Sequence, residues 1–177
     1  MSTKSLLKGA MVLAGVLSIP SLAAAQDTSS GTLTVTATVE SSIALTFESD
    51  AAGVALTNAG TSAATMALGT ISAHEAIATP GVTRSVAATD FTVSSPFGVK
   101  VVKANSNSAD YTLAAALASA DATNTWKIDA VTLSTTSQAV GTSNYGSAVA
   151  HTMSLTVPIA ATAGAISKVI NFTATSN

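Results

Sequence analysis

The sequence predicts an all-β protein: a single immunoglobulin-like (Greek-key) β-sandwich preceded by an N-terminal extended strand of the donor type. Apolar and polar residues alternate with period two in several short segments rich in Val, Ile and Thr, a pattern typical of half-buried strands. The segments recur at spacings of about 8–12 residues, which favours a sandwich or barrel. Helical periodicity is scarce, and 177 residues suffice for about one domain.

The first residues predict export. Lys4 and Lys8 precede the apolar residues 9–17, and the small residues 23–25 follow, an order typical of a secretory signal peptide. The apolar run is shorter than the roughly 20 residues of a membrane-spanning helix. We therefore expect a secreted chain with a signal peptide over residues 1–25, an extension over 26–40, a sandwich domain over 41–177 and no membrane span in the mature part.

The clearest alternation lies in the extension, over residues 32–39. Leu33, Val35, Ala37 and Val39 fall on one face, and four threonines fall on the other. Eight residues at about 3.3 Å each reach roughly 26 Å, the length of a sandwich edge. Such a strand can complete its own domain, or it can insert into the next subunit by β-strand addition.

Weaker alternation predicts the remaining strands. Residues 51–64, rich in Gly and Ala, predict a loop, and Ser94-Ser95-Pro96 predicts a break between two strands. The predicted strands lie around residues 43–47, 91–93, 99–101, 153–159 and 170–174.

Two segments are ambiguous. Trp126 and Ile128 occupy even positions whereas Val131 and Leu133 occupy odd ones, so we expect a bulge or bend near Asp129-Ala130. The alanine-rich residues 111–120 suit one helical spacing as well as strand alternation. The surrounding strands favour a strand there.

Composition excludes several classes of protein. The chain holds 36 Ala, 27 Thr and 24 Ser but only 9% charged residues, with a net charge of −2 and no cysteine. Nucleic-acid binding needs clustered Lys and Arg, and zinc fingers, disulfide scaffolds and thiol enzymes need cysteine. Disorder fits poorly because 47% of residues are hydrophobic.

Catalytic motifs are missing from the sequence. It contains no G-x-S-x-G elbow, H-E-x-x-H pair or glycine-rich phosphate loop. Its histidines are His74 and His151, and the phase that His151 shares with Met153 predicts a place at the rim of the core. Glu48 and Asp50 fall short of the 6–8 oxygens that calcium takes. We expect no enzyme, no catalytic residues, no cofactor and no bound metal.

Two functions remain open. In the first, the chain is a structural subunit of an extracellular filament, a homopolymer with copies of itself as partners and no nucleic acid. The donated face would be Leu33, Val35, Ala37 and Val39, and the candidate acceptor groove would be lined by Leu155, Val157, Ile170 and Phe172. In the second, it is a self-contained secreted β-sandwich, an adhesin or ligand-binding module that uses Trp126 or Tyr145.

Several short motifs resemble those of a known family. They are residues 31–39, Leu68-Gly69-Thr70-Ile71, residues 155–159, residues 163–166 with Gly164 fourteenth from the end, and residues 169–173. They resemble the N-terminal extension, a short strand and the closing hairpin of spore-coat-U-like and archaic chaperone–usher pilins. The resemblance implies a bacterial fimbrial subunit at the cell surface, assembled by donor-strand complementation with a periplasmic chaperone and an outer-membrane usher. The chain departs from these pilins at Ser176, where they favour tyrosine, and in lacking their frequent disulfide.

Overall fold

The computed structural model describes residues 29–177, so the predicted signal peptide lies outside the described residues. In this part of the chain nine strands and no helix form two antiparallel sheets around one core. The predicted all-β sandwich is confirmed, while its immunoglobulin-like Greek-key connectivity stays a prediction. The strands are β1 (Ser42–Ser49), β2 (Thr83–Val86), β3 (Asp90–Ala104), β4 (Asp110–Leu117), β5 (Thr125–Ile128), β6 (Val131–Thr132), β7 (Gln138–Asn144), β8 (Ala148–Pro158) and β9 (Ile170–Ser176).

The larger sheet is built around β3 and has the strand order β1-β3-β8-β5-β6. β8 lies along one edge of β3, and β1 and β2 share the other edge. β1 lies opposite residues 97–104 and β2 opposite residues 91–94, so Ser95 and Pro96 have no strand partner on that side. The Ser95 hydroxyl oxygen instead accepts a hydrogen bond of 2.9 Å from the backbone N–H of Val54.

Pro96 does not interrupt β3, so the predicted break into two strands is wrong. Phe47 directs its N–H away from β3, to the carbonyl of Thr61. The even-numbered residues of β1 and β3 therefore bond to each other, because backbone groups alternate in direction along a strand. The N–H that Pro96 lacks would point into the gap between β1 and β2, where no strand requires it.

The smaller sheet has three strands in the order β7-β4-β9. The prediction of a strand, and not a helix, in the alanine-rich segment is confirmed by β4. Its alternate residues Tyr111, Leu113, Ala115 and Leu117 are all buried. These side chains face the buried residues of β3, β5 and β8 in a single cluster. The core therefore lies between the two sheets.

The predicted bend at Asp129-Ala130 is confirmed as a tight turn that joins β5 to β6, with Ile128 opposite Val131. Asp129 has a φ of +54°, a conformation that Asp tolerates better than most residues. Its carboxylate contacts the His151 ring nitrogen at 2.8 Å and accepts a hydrogen bond from the Thr152 N–H at 2.7 Å. His151 is buried, in phase with Met153 as predicted.

Several sequence expectations differ from the structure. β8 and β9 lie in different sheets, so the expected closing hairpin is wrong; the chain between them crosses from one sheet to the other. Residues 29–41 form no strand, because an isolated strand leaves its backbone groups without partners. Residues 68–71 also form no strand.

β2 and β7 were not predicted from the sequence. Both consist mainly of exposed residues, so neither shows the apolar alternation that marks a half-buried strand. Thr38–Asn177 form one compact unit. Residues 29–177 contain no helix of the length and apolarity needed to cross a membrane.

Candidate functional site

An apolar groove of about 1100 Å³ opens in the compact unit formed by Thr38–Asn177. It exceeds the roughly 300–1,000 Å³ typical of small-molecule sites. β1 contributes Leu45 and Phe47, and β9 contributes Ile170 and Phe172. The groove therefore lies between one edge strand of the larger sheet and one edge strand of the smaller sheet.

The floor of the groove is the inner face of the larger sheet. Phe97, Trp126, Ile128, Met153 and Leu155 form it, and all five are mostly buried. They reach the groove because six strands make up one sheet and only three make up the other. The smaller sheet leaves part of the apolar inner face without an opposing strand.

Three phenylalanine rings meet at the groove. The ring centroids of Phe47 and Phe172 are 5.2 Å apart, and those of Phe97 and Phe172 are 5.9 Å apart. Both contacts are edge-to-face, the arrangement that aromatic pairs prefer. β1 and β9 are thus in contact through side chains at this point, without backbone pairing.

Two segments without regular structure form the walls. Residues 62–71 lie on one side and residues 164–169 on the other. Lys168 donates a hydrogen bond of 2.7 Å to the Ala120 carbonyl, which holds the second wall against the end of β4. Val169 and Ile166 are exposed hydrophobic residues of this wall.

The edge of β9 away from β4 carries free backbone groups. Asn177 donates its N–H to Asp110, and Ala118 donates to Val169, so the odd-numbered positions of this segment bond to β4. The even-numbered residues Ile170, Phe172 and Ala174 consequently direct their N–H and C=O groups to the other edge, where the described part of the chain offers no strand. Such an edge is a template for another strand.

The candidate donated face is exposed to solvent. Leu33, Val35 and Val39 are 88%, 79% and 73% exposed, and Ala37 is exposed as well. Most large apolar side chains in a folded protein are buried. An alternating segment with three such side chains in water is a candidate for burial against another molecule.

The structure places three of the four candidate acceptor residues together. Leu155 lies on the floor, and Ile170 and Phe172 lie on the β9 side of the groove. Val157 is buried in the core and does not line the groove. The sequence did not assign Phe47 to the groove, and it marked Trp126 as a ligand-binding candidate only. The signal that placed both side chains inward was their strand phase.

Trp126 is held in place by a carboxylate. Its indole N–H donates to Asp121 at 2.8 Å, and the same carboxyl accepts the backbone N–H groups of Thr123 and Asn124. The Trp126 hydrogen bond is the main cause that holds the pKa of Asp121 well below its ordinary value, followed by the Asn124 backbone N–H. The loop before β5 thus fixes one residue of the groove floor.

This arrangement predicts acid sensitivity. Because the pKa of Asp121 is lower in the folded chain than in the unfolded chain, the unfolded state binds the proton first as the pH falls. The stabilisation is present above about pH 4 and is lost below it. Urea unfolding followed by Trp126 fluorescence from pH 5 to 2.5 should show a steeper loss in the wild type than in Asp121→Asn; parallel curves would contradict this.

The residues suggested for ligand stacking do not offer open rings. Trp126 is only 7% exposed. The Tyr145 ring lies 5.3 Å from that of Tyr111, and Lys103 Nζ lies 5.1 Å from its centroid. Within residues 29–177 no three His, Asp or Glu side chains cluster as metal ligands would.

No protein-family model, curated protein or solved structure matches this chain. The likeness to chaperone–usher pilins therefore rests on the sequence motifs alone.

Proposed function

We propose that the chain is a structural subunit of an extracellular filament, a pilus or matrix fibre, that assembles by donor-strand β-addition. Residues 32–39 of one copy insert as a strand into the groove of the next copy. The observation that carries the proposal is the combination of a groove lined largely by apolar side chains, beside an open strand edge, with an exposed alternating segment on the same chain.

The side chains of the two surfaces are complementary. Leu33, Val35 and Val39 present branched apolar side chains on one face, and the groove offers aromatic and aliphatic residues. Burial of each branched side chain is worth about 1.5–3 kcal/mol. The donated strand thus removes from water its own apolar face and the partly buried side chains of Phe47, Ile170 and Phe172 that line the groove.

The backbone of β9 supports the same arrangement. A strand beside it would bond to Ile170, Phe172 and Ala174, whose side chains are partly buried on the inner side of the sheet. Residues directly opposite in an antiparallel pair share a face. The apolar residues of the donor therefore enter the groove while its threonines join Thr173 and Thr175 on the outer face.

Insertion in trans is a heterologous contact, which repeats from copy to copy and gives an open filament unless the rotation closes a ring. A protein of this kind acts outside the cell, at the surface. A periplasmic chaperone that covers the groove before assembly and an outer-membrane usher are the partners that the pilin-like motifs suggest.

Removal of residues 26–40 should abolish filaments. The variant keeps the groove but has no strand to donate. We would compare the mature chain, this deletion and a deletion of residues 26–30 by negative-stain electron microscopy and sedimentation.

The shorter deletion is the matched control, because it removes polar residues and keeps the alternating segment. It should assemble like the mature chain. Filaments of normal abundance from the longer deletion would refute the proposal, and a stable monomer from the undeleted chain would favour the self-contained module instead.

A further inference from the structure

We infer that the junction between the extension and β1 prevents a subunit from filling its own groove, so that insertion occurs in trans. This inference rests on the proposed function and explains its direction. Leu45 and Phe47 of β1 line the groove, and β1 begins only three residues after Val39. A segment that turned straight back at this junction would run antiparallel beside β1, as in a hairpin.

The backbone of β1 limits which hairpins are possible. Phe47 donates to Thr61 at 2.9 Å and accepts from Gly60 at 2.7 Å, both on the edge away from β3. By alternation, Ile43 and Leu45 also direct their backbone groups to this edge. The side chains of these three residues are partly buried and pack against the core. Any residue of the extension that paired with one of them would therefore also direct its side chain inward.

The shortest loop gives the wrong face. A two-residue loop of Glu40 and Ser41 would place Thr38 opposite Ile43 and Thr36 opposite Leu45. Opposite residues in an antiparallel pair point to the same side. The threonines would then enter the groove and the apolar residues would face water, because a shift of one residue reverses every side chain.

A loop one residue longer gives the correct face but needs a conformation that the sequence disfavours. With Glu40, Ser41 and Ser42 in the loop, Val39 lies opposite Ile43 and Ala37 opposite Leu45. Three-residue hairpin loops usually end in a left-handed residue, a place for glycine. Ser42 is not glycine, and it is already paired with Ala104 in the ladder of β1 and β3.

The correct register is also blocked further along. It would place Val35 opposite Phe47, whose N–H and C=O are already bonded to Thr61 and Gly60. A hairpin with the right face could therefore pair along β1 only with Ile43 and Leu45, and Leu33 and Val35 would have no backbone partners on β1. The extension of a second copy has no such connection to β1, so the junction constrains only insertion in cis.

Lengthening the junction tests this inference. We would insert eight Gly and Ser residues between Glu40 and Ser41, and the same eight residues between Ser30 and Gly31 as the matched control. The first insertion frees the extension from β1, whereas the second lengthens the chain without changing the junction. Light scattering after size-exclusion chromatography, electron microscopy and thermal unfolding would be measured for both.

The insertion at 40/41 should yield monomers in place of filaments, with a higher Tm than the variant that lacks residues 26–40. The control should form filaments as the unmodified chain does. Filaments from the 40/41 variant, or monomers with the Tm of the deletion variant, would overturn the inference. Failure of the proposed function is a separate result, because it appears either as filaments from the deletion variant or as a stable monomer of the unmodified chain. Val35→Asp within the 40/41 variant should remove its gain in Tm.

Discussion

Val35→Asp should abolish filament assembly, whereas Thr36→Asp should leave most of it. The two positions are adjacent and are both exposed in the single chain, so each substitution adds the same charge to the same segment. In the donated strand they point to opposite faces. The Val35 side chain would enter an apolar groove, where an unpaired carboxylate costs several kcal/mol, while Thr36 stays in water.

The expected difference is large. A cost of about 2.8 kcal/mol lowers the association constant roughly a hundredfold, and an unpaired buried charge costs more than that. Sedimentation of assembled material across a concentration series measures the shift for both variants. Equal loss of assembly in the two variants would contradict donation of the apolar face. It would show that an added charge blocks assembly on either face of the segment.

Gly81→Ala should strongly destabilise the folded unit. Gly81 has a φ of +81°, and a Cβ there would lie 2.2 Å from the Gly53 carbonyl carbon and 2.6 Å from the Val54 nitrogen. The left-handed conformation costs an alanine about 1–2 kcal/mol, and overpacking against backbone adds about 1–3 kcal/mol. The Gly53–Val54 backbone that this Cβ would meet also supplies the Val54 N–H that bonds to Ser95.

Gly60→Ala separates these two effects. Gly60 has a φ of +82° but nothing within 4 Å of its Cβ position, so only the conformational cost applies, about 1–2 kcal/mol. Urea unfolding followed by Trp126 fluorescence would measure the free energy of unfolding of both variants. The Gly81 variant should lose clearly more; equal losses would show that the contact with Gly53 is relieved at little cost.

Much of the fold could be predicted from local pattern. β4 and β8 alternate apolar and small or polar residues over their whole length, and the change of phase after Ile128 marks the turn at Asp129. These features depend on neighbours in sequence, where the period of two is sufficient evidence. The break predicted at Pro96 was wrong because a proline is tolerated wherever its missing N–H faces a gap, and the gap is made by strands distant in sequence.

Part of the site could also be predicted. Ile170 and Phe172 were assigned to a groove from their own alternation, and both line it. Val157 was assigned on the same grounds and lies in the core instead. The donated face in residues 32–39 stays a prediction. Alternation identifies inward-facing residues, but it does not say which of them another sheet covers.

By itself, the sequence determined that this chain is a β protein with little charge and an alternating apolar segment over residues 32–39. Those properties follow from composition and from the period of two. Only the tertiary structure decided that β8 and β9 belong to different sheets, that three strands face six, and that β9 keeps one open edge. Pairing between distant strands is set by packing of the whole core, so a groove between the edge strands of two sheets has no local signature.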